Sequence, residues 1–185
     1  MAKVINSTEV ISNSVRWTNV HVFKPTSIRG SKPRYSTTLI IPKSDIETIS
    51  KVQSALQDAY EDLQRFDDST PDFSKIKNPL QDGDICFPNK PEYRDSYFIN
   101  AYSYEPLGVF DEELNPIQTP SEVYNGVWGK ADITFFPYHY GDTFGIGCNL
   151  NGLQKLKDDR PIGSQNYKKV SAKENFAVDA DENFS

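Results

Sequence analysis

Apolar positions in this chain recur mostly every second residue, and one long stretch breaks that rule. Residues 15–23 interleave Val15, Trp17, Val20, Val22 and Phe23 with polar neighbours, predicting a strand closed by Pro25. Residues 24–33 collect Pro, Ser, Gly and base around the turn Arg29-Gly30-Ser31, and residues 34–41 resume strand chemistry, so the two runs form a hairpin. Pro42 ends the second run. Ser44 and Glu47 then have the spacing of a capping box, and Ile46, Ile49, Val52, Leu56, Leu63 and Phe66 recur at three or four residues or their multiples. That periodicity predicts a helix with one buried face, ending near Asp67. Residues 67–84 read as loop, with Pro71, Pro79 and a turn at 81–84. Strand patterns return at 96–104, at 127–140, where both faces carry rings, and at 143–150 after the turn 140–142. Five principal strands and one helix after the first hairpin predict a mainly β fold that closes as a small barrel.

Composition narrows the class. With 185 residues, 37% of them apolar, the chain suits one domain, expected over 1–170, followed by a flexible tail at 171–185. No run approaches the roughly 18 apolar residues of a membrane helix, and the N-terminus lacks the order of a secretion signal, which points to an intracellular, soluble protein with no membrane partner. Asn6-Ser7-Thr8 fits the glycosylation pattern but has no role in that setting. Cys86 and Cys148 lie far apart, with only His21 and His139 to join them; they read as buried free thiols rather than a disulfide or zinc site. Gly145 and Gly147 lack the third glycine and the helix of a dinucleotide loop, and are better explained by close backbone approach or a bulge in a curved strand. Asp82 and Asp84 flank a glycine, as turn residues do, more than they suggest an ion site. No nucleophile elbow or compact acid cluster appears, so the chain is read as non-catalytic, with no metal and no cofactor.

Charge changes the picture. The first forty-three residues hold seven Lys and Arg against one acid, Glu9, in a chain of formal net charge −6. Residues 44–185 hold thirteen bases and twenty-five acids, a formal net charge of −12. Binding to a phosphate backbone depends on local charge, so a basic front on an acidic protein is compatible with nucleic acid. Lys24, Arg29, Lys32 and Arg34 lie within eleven residues, flanked by Phe23 and Tyr35 and uninterrupted by acid. Bases on phosphates and rings on nucleobases are the two components of single-strand binding. Arg16, Trp17, Tyr102, Tyr104, Trp128 and Lys130 complete the candidate nucleic-acid-binding residues, with Tyr97, Phe136, Tyr138 and Tyr140 as further candidate platforms. From Glu174 onward there are four acids, no base and two phenylalanines, a composition too poor in apolar residues to fold alone. Asp179, Asp181, Glu182 and Phe184 there suit a partner-docking peptide, and the same segment could compete with DNA for the basic hairpin.

Residues 32–44, the turn 79–84, residues 121–126 and residues 145–158, taken together and in this order, resemble a family of tailed-phage single-stranded-DNA-binding proteins. The resemblance spans nearly the whole chain. It implies an OB-type Greek-key barrel with the helix after the first hairpin, replication or recombination work in the cytoplasm of an infected bacterium, and no catalytic site. It also implies an acidic tail for docking host or phage replication proteins, although Ser185 follows the last Phe in this chain. The expected function is coating and protecting single-stranded DNA. The rival is an acidic adaptor or DNA mimic that binds a host protein through residues 44–185. Self-association of the chain is left open.

Overall fold

The computed structural model describes residues 7–163. Its long strands are β2 (Val15–Thr26), β3 (Arg34–Pro42), β5 (Ser96–Ser103), β7 (Trp128–Tyr140) and β8 (Thr143–Lys157), and its long helix is α1 (Ile46–Phe66). All five expected strands and the helix are therefore present. β2 runs on through Pro25, and β8 extends seven residues beyond its sequence-based end. Three short strands, β1 (Glu9–Ile11), β4 (Gln81–Asp82) and β6 (Gly108–Phe110), and the single turn α2 (Gly83–Cys86) were not expected.

Each long strand finds two partners. β2 pairs β3, β3 pairs β5, β5 lies parallel to β8, β8 pairs β7, and β7 returns to β2, closing a five-stranded barrel. The fifth long strand sits between the third and the fourth, which is the Greek-key crossing anticipated for an OB barrel. β1 continues the line of β2 along β7, pairing Val10 with Ile133.

The inner face carries Val15, Trp17, Leu39, Ile41, Ile99, Val127, Ile133, Phe135 and Leu150, all at most 1% exposed. α1 packs across β7, β1 and β8 with Val52, Ala55, Leu56, Ala59 and Leu63 turned inward. Its start differs from the expected capping box: Asp45 is the N-cap, and its side chain accepts from the Thr48 backbone N–H. Glu47 instead accepts from Asn13 Nδ2 at 2.9 Å. Asp45→Ala is expected to remove about 1 kcal/mol of stability, seen as a lower urea midpoint with unchanged slope. Ile46 and Phe66, assigned to the buried face by periodicity, are the first and last residues of the helix and are 74% and 84% exposed.

Cys148 is buried, and burial pushes its thiol well above the ordinary range. Cys86 is exposed, contrary to expectation, since α2 turns it outward. Asp82 and Asp84 converge on Lys43 Nζ at 3.0 and 2.9 Å, and the Asp84 and Asp82 hydrogen bonds hold that ammonium far above its usual pKa. Among the described residues no helix is long and apolar enough to cross a membrane. The boundary expected at 170 and the tail residues Asp179, Asp181, Glu182 and Phe184 lie outside the described residues.

Candidate nucleic-acid interface

Strand register alone assembles the site. On the outer face of β3 and β5, Ser36 is opposite Tyr102 and Thr38 opposite Asn100. At the tip of the β2–β3 hairpin, Arg29 and Gly30 take left-handed conformations at φ 52 and 75, and Ser31 N–H donates to Ile28 C=O at 3.0 Å. The chain then returns with Lys32 and Arg34 directed at rings at the end of β5 and just beyond it. The Arg34 guanidinium carbon lies 4.2 Å from the centroid of Tyr102, and Lys32 Nζ 4.7 Å from that of Tyr104. The two tyrosines meet edge to face at 5.8 Å. Burial first, then neighbouring Tyr104, raises the Tyr102 phenol, which Arg34 opposes.

The β7–β8 hairpin supplies the opposite wall. Phe136 is 6.4 Å from Tyr102, ring to ring. Phe136 pairs with Gly147 and Tyr138 with Gly145. A Cβ on Gly147 would lie 2.3 Å from the Phe136 ring, and one on Gly145 2.5 Å from that of Tyr138. The glycines are therefore the seats of the two rings, a specific form of the close approach read from sequence.

Two hollows result. One of about 380 Å³ is lined by Asn19, His21, Ile28, Arg34, Ser36 and Thr38, among others; the second, of about 370 Å³, by Pro79, Phe136, Tyr138, Ile146 and Gly147. Asn100 and Tyr102 line both, so the hollows form one trough crossing the strands. No acid lines either hollow. Lys24 and Arg29 are exposed beside the trough, and no described acid pairs with them, Lys32 or Arg34.

The other candidates lie elsewhere. Trp17 has no exposed surface; it shares the inward parity of Val15, and its ring fills the space above Gly129, so the expected stacking platform is a core residue. Phe23 is half-buried against the core, and Tyr35 is half-buried on β3. Arg16 and Trp128 are register partners at the far end of the barrel, eight residues along β7 from Phe136, or about 26 Å. There the Arg16 guanidinium donates to Gly126 and Arg160 carbonyls at 3.0 and 2.5 Å, and Trp128 Nε1 donates to Asp159 at 2.8 Å. That hydrogen bond is the main cause of a lowered Asp159 pKa. These residues hold the chain after β8 against the barrel. Lys130 is exposed one step along the same face of β7. Asn100 was missed altogether. Phe136 and Tyr138 were only generic ring candidates, although their places mirror Gly147 and Gly145 about the hairpin turn, a signal present in the sequence.

The fold is similar to that of a solved single-stranded DNA-binding protein from bacteriophage Enc34 in complex with ssDNA, at 26% identity and a TM-score of 0.75, covering 88% of this chain and 97% of that one. A C-terminal truncation of the Enc34 protein gives 26% and 0.74, covering 87% and 96%. The single-stranded DNA binding protein gp2.5 encoded by bacteriophage T7 is similar in fold, at 13% identity and a TM-score of 0.61 over 87% of this chain and 93% of its own. No curated protein matches the sequence. The family model described as Enterobacter phage Enc34, ssDNA-binding protein, matches residues 8–185, and the chain belongs to that family.

Proposed function

We propose that this protein binds single-stranded DNA along the trough, with Lys32 and Arg34 on phosphates and Tyr102, Tyr104, Phe136 and Tyr138 stacked against bases. The observation that carries this reading is the pairing of cation with ring, Arg34 on Tyr102 in a trough lined by no acid, and Lys32 on Tyr104, the ring packed beside Tyr102. Family membership and the Enc34 structure in complex with ssDNA support it. The protein acts without catalysis, coating and protecting the strand during phage replication or recombination in the infected cell. Its acidic end, with Asp179, Asp181, Glu182 and Phe184, docks replication partners or competes for the trough.

Fluorescence anisotropy of labelled oligo-dT across a salt series tests the reading. Affinity should fall with salt by about 0.7 log units per log unit for each phosphate neutralised. Arg34→Ala is expected to reduce that slope by about one such unit and to weaken binding. An unchanged slope and affinity would place the DNA elsewhere on the molecule.

A further inference from the structure

The floor of the trough is polar, and its hydrogen bonds run one way. Asn19 holds a left-handed backbone, φ 51, where β2 slips register between Thr18 and His21. Non-glycine residues adopt that conformation rarely, Asn more readily than most. From there Asn19 Nδ2 donates to Thr38 Oγ1 at 3.1 Å, and Thr38 Oγ1 donates to Asn100 Oδ1 at 2.6 Å. A hydroxyl has one proton, so receiving from Asn19 leaves Thr38 its own proton for Asn100. The Asn100 carbonyl is thus taken up inside the relay. Its NH₂ group has no acceptor among the described residues, and Asn100 is an exposed residue where the two hollows meet.

We propose that Asn100 reads the edge of a bound base: locked as a hydrogen-bond donor, it favours thymine, with two carbonyl oxygens on its pairing edge, over adenine, which presents an amino group and one ring nitrogen. The inference rests on the trough being the single-strand site and adds a base preference to it. Stacking strength and strand flexibility already give single-strand binders a modest base preference, so the share due to Asn100 is the part of the dT-to-dA difference that changes when this polar group is altered. The relay supplies the direction, because an unheld amide would turn to suit either edge.

The test is the ratio of dissociation constants for oligo-dA and oligo-dT, measured by anisotropy on the full chain. In Asn100→Asp the Thr38 hydroxyl still has an oxygen to serve, while the outward atom becomes an acceptor. The added charge weakens both oligomers, and the preference for dT over dA should fall by roughly threefold to tenfold, the worth of one hydrogen bond. Thr38→Val, which frees the amide to turn, should shift the ratio in the same direction without adding charge. Thermal melts verify that both variants are folded. A ratio unchanged in both folded variants, with wild-type protein binding DNA, overturns the role of Asn100. Wild-type protein that binds neither oligomer overturns the single-strand reading itself, and the inference falls with it.

Discussion

Trp17→Ala is expected to remove about 3–5 kcal/mol of folding stability, the range for deleting a large buried ring. The ring has no exposed surface, it belongs to the same core as Val15, Leu39 and Phe135, and it lies so close to Gly129 that a Cβ there would be 2.5 Å from it. Against a total stability on the order of 5–15 kcal/mol, such a loss leaves a substantial part of the protein unfolded on mild heating. Trp17→Phe should cost less than the change in area implies. The indole Nε1 is buried with no hydrogen-bond partner among the described residues, so the smaller ring removes an unsatisfied donor along with some packing. Urea unfolding measures the loss, and anisotropy on the folded fraction should return wild-type affinity for oligo-dT. Stable protein with weakened DNA binding would instead show that the ring is reachable by a base.

The same residue shows where sequence reading stops. Alternation through residues 15–23 sets a parity, and Trp17 shares its parity with Val15, so its inward direction was legible; its aromatic character drew it into the surface set instead. Arg16 has the outward parity and was rightly kept off the core, but only register shows that it meets Trp128 and Arg160 rather than the basic hairpin. The long strands and α1 were legible because each repeats its period over eight residues or more. β1, β4 and β6 have two or three residues each and are defined by their neighbours, not by any pattern of their own. The helix cap failed by one residue for a similar reason: Ser44 and Asp45 are adjacent and both favour that position, and the choice falls to the one whose oxygen reaches Thr48 N–H.

Charge was legible in its total and not in its placement. Much of the acidity engages bases or polar groups of the protein itself: Asp82 and Asp84 on Lys43, Asp158 on Lys155, Asp159 on Trp128 and Arg16. The trough is left with Arg34 in its lining and no acid, and the hairpin that flanks it carries Lys24, Arg29 and Lys32, which is how a chain of net charge −6 presents a locally cationic face.

Tyr102→Ala should have the largest effect on binding of any single change in the trough. The ring is common to both hollows, it supports the Arg34 guanidinium at 4.2 Å, and it braces Tyr104 and Phe136 at 5.8 and 6.4 Å. Removing a stacking ring costs about 1–3 kcal/mol per base, or roughly 5-fold to 150-fold in affinity. The Tyr102 side chain lies on the outer face of β5, so the melting temperature should change little, in contrast to Trp17→Ala. Tyr102→Phe keeps the ring and the platform for Arg34, and should bind nearly as wild type. The salt series separates the two components of binding. Arg34→Ala lowers the slope because a phosphate contact is lost, whereas Tyr102→Ala should lower affinity at every salt concentration and leave the slope close to that of the wild type, since the ring carries no charge. If Tyr102→Ala lowered the slope as much as Arg34→Ala, the ring would matter only as the support that points Arg34 at phosphate. If it changed neither affinity nor slope, the bases would lie outside the trough.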